Sequence, residues 1–280
     1  MRTHAERLAA RDGYFSPESV VRRLGNSPVT PFLGGGPAVL LQVAHPLVAA
    51  GVVEHSEYDS DLWRRLVRTL RALYLITFGD KDEAERAGAA VRAVHERVHG
   101  TTREQLGPFP PGTEYSASDP DLMLWVHSTL VYGSLAAYER FVGRLSERER
   151  EQYLAEMNLV ARLFGAPAQV LPPTYAAFDE YFRSQLASGA ITVTAPAREV
   201  ASAILTTPIP TPLRLLVPAH RLATARLLPA RLRDEYGLRW SRAHDLALPL
   251  AGGAVRYGTA PALRIAARLR PPRRVLVGLA

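Results

Sequence analysis

Apolar residues recur with the period of an α-helix along almost the whole chain, and this repeat constrains the fold more than any other feature. The segment from Asp59 to Phe78 is amphipathic, whereas the run from Pro37 to Val53 is apolar on all sides and predicts a buried helix kinked at Pro46. Capping residues and periodicity predict further helices over residues 81–99, 119–142, 146–164, 174–188, 195–206, 212–227 and 238–250. Residues 191–194 form the only strand-like run, so the sequence predicts an all-α protein.

The chain has 280 residues, of which 47% are hydrophobic, and this is enough for one large core. It shows neither an internal repeat nor a low-complexity linker. The stretch 100–118 is rich in Gly, Pro and Thr and is predicted to be a loop. We therefore expect one multi-helix domain over residues 1–255, followed by a basic tail or terminal helix over residues 256–280.

Three glycines, Gly34 to Gly36, stand directly before Pro37. A glycine run before a helix can cradle a phosphate, but the Lys and the Ser or Thr of a P-loop are missing and no strand precedes the run. We interpret it as a flexible start of the helix that follows.

The net charge of +7 is concentrated at the end of the sequence. No acidic residue follows Asp245, and six of the seven net positive charges are supplied by the tail arginines, which are Arg256, Arg264, Arg268, Arg270, Arg273 and Arg274. The rest of the chain is nearly neutral, so we expect no nucleic-acid partner. The tail is a candidate for peripheral contact with a membrane through anionic lipid headgroups. A solvated tail or a packed last helix is the alternative.

Cysteine is absent from the chain. This excludes disulfides, cysteine-ligated zinc, iron–sulfur clusters, a cysteine nucleophile and thiolate-ligated haem. Any metal ion must therefore be held by His, carboxylate, Tyr or Met side chains.

The sequence begins with a polar, charged segment that has no apolar signal region. Its most apolar run, which carries Gln42 and His45, is short for a bilayer. We therefore expect a cytoplasmic protein.

One row of the predicted helix 81–99 carries polar residues beside its apolar edge. Gly88, Arg92, His95 and His99 follow at spacings of four, three and four, so the helical interpretation places them on one face. A Gly inside a helix costs roughly 1 kcal/mol relative to Ala, and its use here would make room for a large flat ligand. A His beside such a gap can ligate iron, and an Arg one turn away can pair with a carboxylate of the same ligand. The alternative is a core His bonded to a carbonyl group.

Polar residues also interrupt three other apolar patterns. Thr69 occupies an apolar position of the helix 59–78, and Arg65 precedes it by one turn. His45 lies inside the most apolar run, and His127 lies among apolar residues of the helix 119–142. Burying such groups costs free energy unless a partner is present. They are candidates for a ligand site, although a Thr bonded to its own helix, an extended Arg and ordinary core histidines are the alternatives.

Residues His95 to His99 spell H-E-x-x-H, the motif of zinc metallopeptidases. Such an enzyme needs a third ligand and a substrate cleft beside an edge strand, and the sequence indicates neither. We therefore keep a non-haem metal enzyme with His95, Glu96 and His99 as a minor alternative.

Several stretches between Val39 and Leu171 resemble the catalytic domain shared by rubber oxygenases (latex-clearing proteins) and the mycophenolate-pathway oxygenase MpaB, above all its small bacterial members. The resemblance is carried by residues 40–52, by Glu54-His55-Ser56, by Arg65-x-x-x-Thr69, by Val91-Arg92-Ala93-Val94-His95 and by residues 124–130.

The resemblance implies an all-α domain with a buried pocket for haem b. It implies an oxygenase that uses dioxygen to oxidise or cleave a carbon–carbon double bond of a small apolar or isoprenoid substrate. His95 corresponds to the proximal ligand of the haem iron, and His99 falls where an Arg is usual. Gly88, Arg92, His45 and His127 are the further candidates for contact with the cofactor.

The resemblance also implies catalytic roles. Arg65 and Thr69 match a pair of the haem pocket, and Arg68 falls where a rubber oxygenase has a Lys that approaches the iron. Glu54 corresponds to the acidic distal residue. A non-catalytic haem- or lipid-binding protein remains the alternative to an enzyme.

Overall fold

The computed structural model describes residues 12–55, 61–206, 216–250, 252, 253 and 255, without the side chains of residues 61–67 and 206. Helices hold about 70% of the described residues, so the predicted all-α fold is confirmed. The basic tail, residues 256–280, lies outside the described residues.

In chain order the helices are α1 (Val20–Asn26), α2 (Val29–Val43), α3 (Pro46–Glu54), α4 (Asp61–Phe78), α5 (Lys81–His95), α6 (Pro120–Phe141), α7 (Glu147–Leu163), α8 (Tyr175–Ala187), α9 (Ala195–Thr206), α10 (Val217–Leu227), α11 (Ala230–Glu235) and α12 (residues 242–250). A 3-10 turn, Ala168–Val170, lies between α7 and α8. The short α11 is not predicted from the sequence, which places the last helix over residues 238–250.

Helices α2 and α6 cross at the centre of the molecule, and two glycines allow their backbones to meet. A Cβ atom on Gly34 would lie 2.6 Å from the carbonyl oxygen of Gly133, and a Cβ on Gly133 would lie 2.6 Å from that of Gly34. On the same helix, Gly36 faces Thr224 and His220 of α10. The glycines thus lie inside α2 and serve its packing, so the predicted flexible helix start is wrong.

The predicted helix over residues 37–53 is divided into α2 and α3, whose axes differ by 99°. His45 is the N-cap of α3 and Pro46 is its first residue. Proline suits this position because its missing N–H would have no helical partner there. Within the described residues, no single helix is both long and apolar enough to cross a membrane, although α2 and α3 together meet that test across their bend.

Helix α5 ends at His95, four residues earlier than predicted. An antiparallel ribbon of β1 (His99–Thr101) and β2 (Glu114–Ser116) follows, with Gly100 opposite Tyr115. The chain leaves the helix because the carbonyl of Val98 accepts a 2.8 Å hydrogen bond from the Ala117 amide, which continues the ribbon. The predicted loop 100–118 therefore contains two short strand segments.

The strand-like run 191–194 forms no strand. Its backbone is bonded elsewhere, because the Thr192 amide donates to the Ala44 carbonyl at 2.8 Å and the Val193 amide donates to the Glu235 carboxylate at 2.9 Å. These bonds fix the end of α2 and the end of α11 to one segment.

Candidate functional site

The face of α5 that packs on the core ends at His95. Ala84, Gly88, Val91 and His95 follow at spacings of four, three and four, so they share this face. Ala84 and Gly88 are buried, whereas Val91 and His95 are half-buried. The Nδ1 atom of His95 lies inside the protein. The imidazole therefore extends the core-facing stripe at the point where the stripe becomes accessible.

Gly88 and Arg92 hold α5 against the C-terminal end of α7. A Cβ atom on Gly88 would lie 2.5 Å from the carbonyl oxygen of Leu163, and the Arg92 guanidinium donates a hydrogen bond to the same carbonyl. The aliphatic part of Arg92 passes Gly165, where a Cβ would lie 3.1 Å from Arg92 Cδ. The space beside Gly88 is thus occupied by Leu163. The close contact between α5 and α7 explains why a glycine stands at position 88 and an arginine at position 92.

His99 does not share a helix face with His95, which corrects the predicted row. It is the first residue of β1, its side chain is exposed, and its carbonyl accepts a 3.1 Å hydrogen bond from His55 Nε2. The zinc motif H-E-x-x-H needs both histidines one turn apart on one helix. A metal site of His95, Glu96 and His99 is therefore not formed. In the described part of the chain, no three His, Cys, Asp or Glu residues are grouped to hold a metal ion.

Helix α4 carries three of the predicted catalytic residues. The side chain of Arg65 lies outside the described residues, and those of Arg68 and Thr69 are exposed. Leu70 and Tyr74 of the same helix are 43% and 46% exposed. The exposed surface of α4 thus combines polar groups with apolar side chains.

Glu54, at the end of α3, contacts the β1–β2 ribbon through two partners. The Tyr115 hydroxyl donates a hydrogen bond to Glu54 Oε2, and Arg103 Nε lies 3.5 Å from Oε1. Tyr115 is buried, and burial followed by the hydrogen bond to Glu54 raises the pKa of its hydroxyl. The carboxylate is therefore oriented by the buried phenol on one side and by an exposed cation on the solvent side. Beside it lies an open depression of roughly 440 Å³ lined by the ribbon and Asp119.

His45 is buried and caps α3. Its Nδ1 atom accepts a 3.3 Å hydrogen bond from the Leu47 amide, and its ring lies 5.4 Å from that of Phe109. Burial lowers the pKa of His45 to about 4, against a smaller opposite effect of Asp119. The ring is neutral at pH 7 and one of its nitrogens is occupied by the cap, which favours a structural role.

His127 is buried in α6 and is held by Asn158 of α7. Asn158 Nδ2 donates to the Pro172 carbonyl at 2.9 Å, so Asn158 Oδ1 is the atom that accepts from His127 Nε2 at 3.0 Å. Burial lowers the pKa of His127 to about 4, and the bond to Asn158 opposes this shift. Because Nε2 carries a proton that it donates to Asn158, this nitrogen is not free to bind a metal ion. This favours a structural role for His127.

Two residues of interest are not singled out by the sequence. His220 of α10 donates from Nδ1 to the Phe32 carbonyl at 2.8 Å and is half-buried. Tyr115 lies in a polar segment that the sequence predicts to be a loop. Its contact with Glu54 depends on the pairing of β1 with β2, which the sequence does not predict. The one signal for His220 is its position in an apolar helical stripe with Ala219 and Ala223.

A family model described as the catalytic domain of the ER-bound oxygenase mpaB/B′ and rubber oxygenase matches residues 22–257 of the chain. Uncharacterised proteins of Mycobacterium bovis and of Mycobacterium tuberculosis are each 27% identical to it over 216 residues, which are 74% of this chain and 80% of theirs. No solved structure shows a significant match. Because the family model covers most of the chain, including the helices that carry His95 and Glu54, the protein belongs to the family of mpaB-type and rubber oxygenase catalytic domains.

Proposed function

We propose that the protein is a haem b-dependent oxygenase that acts with dioxygen on a carbon–carbon double bond of a small apolar or isoprenoid substrate. Membership of an oxygenase family supports the reaction class. The observation that carries the cofactor is the position of His95, a half-buried imidazole at the end of the core-facing stripe of α5.

Two features of the described residues support a haem. A haem brings four nitrogen ligands of its own and needs one imidazole from the protein, which His95 would supply. Its flat apolar faces need apolar surroundings, and Leu70, Tyr74 and Val94 expose 43%, 46% and 42% of their surface on α4 and α5. Covering these side chains would remove apolar surface from water, which is favourable.

When bound, haem would supply the redox-active iron that dioxygen requires to react with a closed-shell alkene. Cleavage of the double bond places one oxygen atom of dioxygen on each carbon and gives two carbonyl groups. Atoms and electrons then balance without an external reductant. A neutral imidazole at the iron also lacks the electron donation of a thiolate, and this favours such an oxygenation over thiolate-type hydroxylation.

The chain's own residues would orient the substrate and manage protons. Arg65 and Thr69 would shape the polar side of the pocket. Arg68 would place a positive charge next to them. Glu54 would hold or accept a proton at Oε1, since Oε2 already accepts the Tyr115 hydrogen bond.

The test is the visible spectrum of the purified protein after reconstitution with haem. We expect a Soret band in the wild type and its loss or displacement in His95→Ala, with unchanged helical circular dichroism. His99→Ala is the matched control, because this residue belongs to the same five-residue motif but lies on β1, and it should keep the band. A full, unshifted Soret band in His95→Ala would reject the assignment.

Two further measurements separate an enzyme from a carrier. Oxygen uptake in the presence of an isoprenoid indicates an oxygenase, whereas haem retention without uptake indicates a non-catalytic haem- or lipid-binding protein. Arg65→Ala and Thr69→Ala should keep the haem and lower the turnover, because their proposed role is in the pocket rather than at the iron. Loss of haem in either variant would contradict that role.

A further inference from the structure

Helix α12 (residues 242–250) is fixed to the body of the protein by one side. Leu248 is fully buried. Helical residues beyond residue 250 pack on the same side: a Cβ on Gly252 would lie 2.7 Å from the ring of Phe141, and Val255 is buried in a cluster with Leu33 and Ala137. The orientation of the helix on the surface is therefore set by its packed side.

The opposite side of α12 presents two leucines to solvent. Leu246 and Leu250 are 79% and 77% exposed, more than any other large apolar side chain among the described residues. They are four residues apart and so lie one turn apart on one face. Each is also two residues from the buried Leu248, which places them on the side away from the core. Apolar surface of this kind on a packed helix is typical of an interaction site.

Two exposed arginines lie beside the N-terminal end of α12. Arg239 and Arg242 are exposed directly before and at the start of α12. The nearby carboxylate of Asp245 accepts a 3.1 Å hydrogen bond from Trp240 Nε1, whose ring lies 5.6 Å from the Arg233 guanidinium. Asp245 is the last acidic residue of the chain, and the sequence after it adds six arginines. An apolar ridge in a basic setting is the pattern of a surface that binds an anionic bilayer.

We propose that α12 docks on an anionic membrane surface, with Leu246 and Leu250 in the headgroup–acyl boundary and with Arg239 and Arg242 on lipid phosphates and carboxylates. A second copy of the chain is a poorer occupant, because a symmetric contact through this face would bring the same positive charges together. The inference does not depend on haem or on activity. It would place the protein where apolar substrates concentrate.

The experiment is co-sedimentation of the full-length protein with phosphatidylcholine vesicles, with and without phosphatidylserine. We expect binding only with phosphatidylserine, and weaker binding at high salt because the arginine–lipid attraction is screened. Leu246→Ser/Leu250→Ser should lower the affinity about tenfold or more. Each of Arg239→Gln and Arg242→Gln should lower it by about fivefold at low salt.

Two variants control for folding and for general loss of apolar surface. Leu246→Phe/Leu250→Phe keeps an apolar ridge and should bind at least as well as the wild type. Leu70→Ser removes a leucine that is 43% exposed on α4 and should leave binding unchanged. Circular dichroism verifies that the variants fold.

The proposal is overturned if the wild type does not sediment with phosphatidylserine vesicles, or if the double serine variant binds as well as the wild type. It is also overturned if the wild type binds no vesicles but forms a dimer in analytical ultracentrifugation, and the serine variant forms none. A second copy of the chain would then be the occupant of this face. A third outcome also overturns it: the wild type binds no vesicles, and the serine variant has a lowered thermal midpoint. The two leucines would then make a contact within the chain.

Discussion

Gly100 has an ordinary strand conformation, so its importance comes from its neighbours. A Cβ atom at this position would lie 2.6 Å from the hydroxyl oxygen of Tyr115 and 3.1 Å from Glu54 Oε2. The Tyr115 ring is buried in a small cluster with Leu47 and Leu122 and cannot move away freely. The absence of a side chain on Gly100 is therefore what allows the tyrosine to reach Glu54.

We expect Gly100→Ala to lower the free energy of unfolding by about 1–3 kcal/mol, because the new methyl group overpacks the ribbon. Chemical denaturation of the two proteins measures this difference in the free energy of unfolding. The same substitution in a Tyr115→Phe background should cost less, since the hydroxyl that it meets is gone. An equal cost in both backgrounds would show that the Tyr115 hydroxyl does not limit the space above Gly100.

At this scale the sequence predicts which polar residues are unusual, but it does not distinguish their roles. His45 and His127 are correctly expected at apolar positions. Their functions as helix cap and as partner of Asn158 depend on geometry: His45 must begin a helix, and Asn158 lies on another helix. His95 remains a prediction whose test is spectroscopic.

The glycines of α2 show how one element can carry opposite constraints at neighbouring positions. Gly34 faces the backbone of α6, whereas a Cβ on Gly35 would meet nothing within 4 Å. We expect Gly34→Ala to destabilise the protein by about 1–3 kcal/mol, because backbone must shift at the α2–α6 crossing. Gly35→Ala should stabilise it by about 0.5–1 kcal/mol, because alanine reduces the entropy of the unfolded chain at no steric cost.

The two substitutions form a matched pair, since they add the same methyl group to adjacent residues of one helix. Urea denaturation of both variants gives the sign of each effect. If both variants shift in the same direction, the crossing of α2 and α6 at Gly34 and Gly133 is not as close as described.

At the level of elements, the sequence predicts the helices better than their ends. Hydrophobic periodicity identifies α4 through α10 because each packs an apolar stripe on the core. The break between α2 and α3 falls at Pro46, where the sequence predicts a kink, but the 99° change of direction and the cap by His45 are not predicted. The end of α5 is missed because it is determined by pairing with Ala117, about twenty residues further along the chain.

Three histidines inside the fold have a lowered pKa; His45 and His127 are buried, and His220 is half-buried. Burial is the main cause in each case: it lowers the pKa of His45 and of His127 to about 4, and it also lowers the pKa of His220. Asp119 opposes the shift at His45, and hydrogen bonds to Asn158 and to the Phe32 carbonyl oppose it at His127 and His220, while Arg221 adds to it at His220. The rings lie in α6, in α10 and at the start of α3, so acid affects the central packing from several sides.

The stability of the molecule should therefore fall as the pH is lowered from 6.5 to 4. In this range the unfolded chain binds protons at histidines of ordinary pKa 6.5, whereas the folded protein keeps them neutral until about pH 4. Because the unfolded state binds more protons, stability increases with pH across this window, by up to about 1.4 kcal/mol per pH unit for each histidine. Urea denaturation at a series of pH values, at constant salt, measures the slope.

His127→Gln isolates one contribution, since a glutamine amide can donate to Asn158 Oδ1 in place of the imidazole and does not titrate. Between pH 6.5 and 4, the free energy of unfolding of this variant should change less steeply with pH than that of the wild type. The difference in slope should equal the contribution of one histidine. Carboxylates with a lowered pKa, such as Glu149 with a pKa of about 2, stabilise the folded protein above their ordinary pKa of 4.5. This contribution to stability is lost only as the pH falls below 4.5, so it is distinguishable from that of the histidines. If the wild type shows no slope between pH 6.5 and 4.5, the histidines must be charged in the folded protein, and the caps and bonds assigned here to His45 and His127 must be revised.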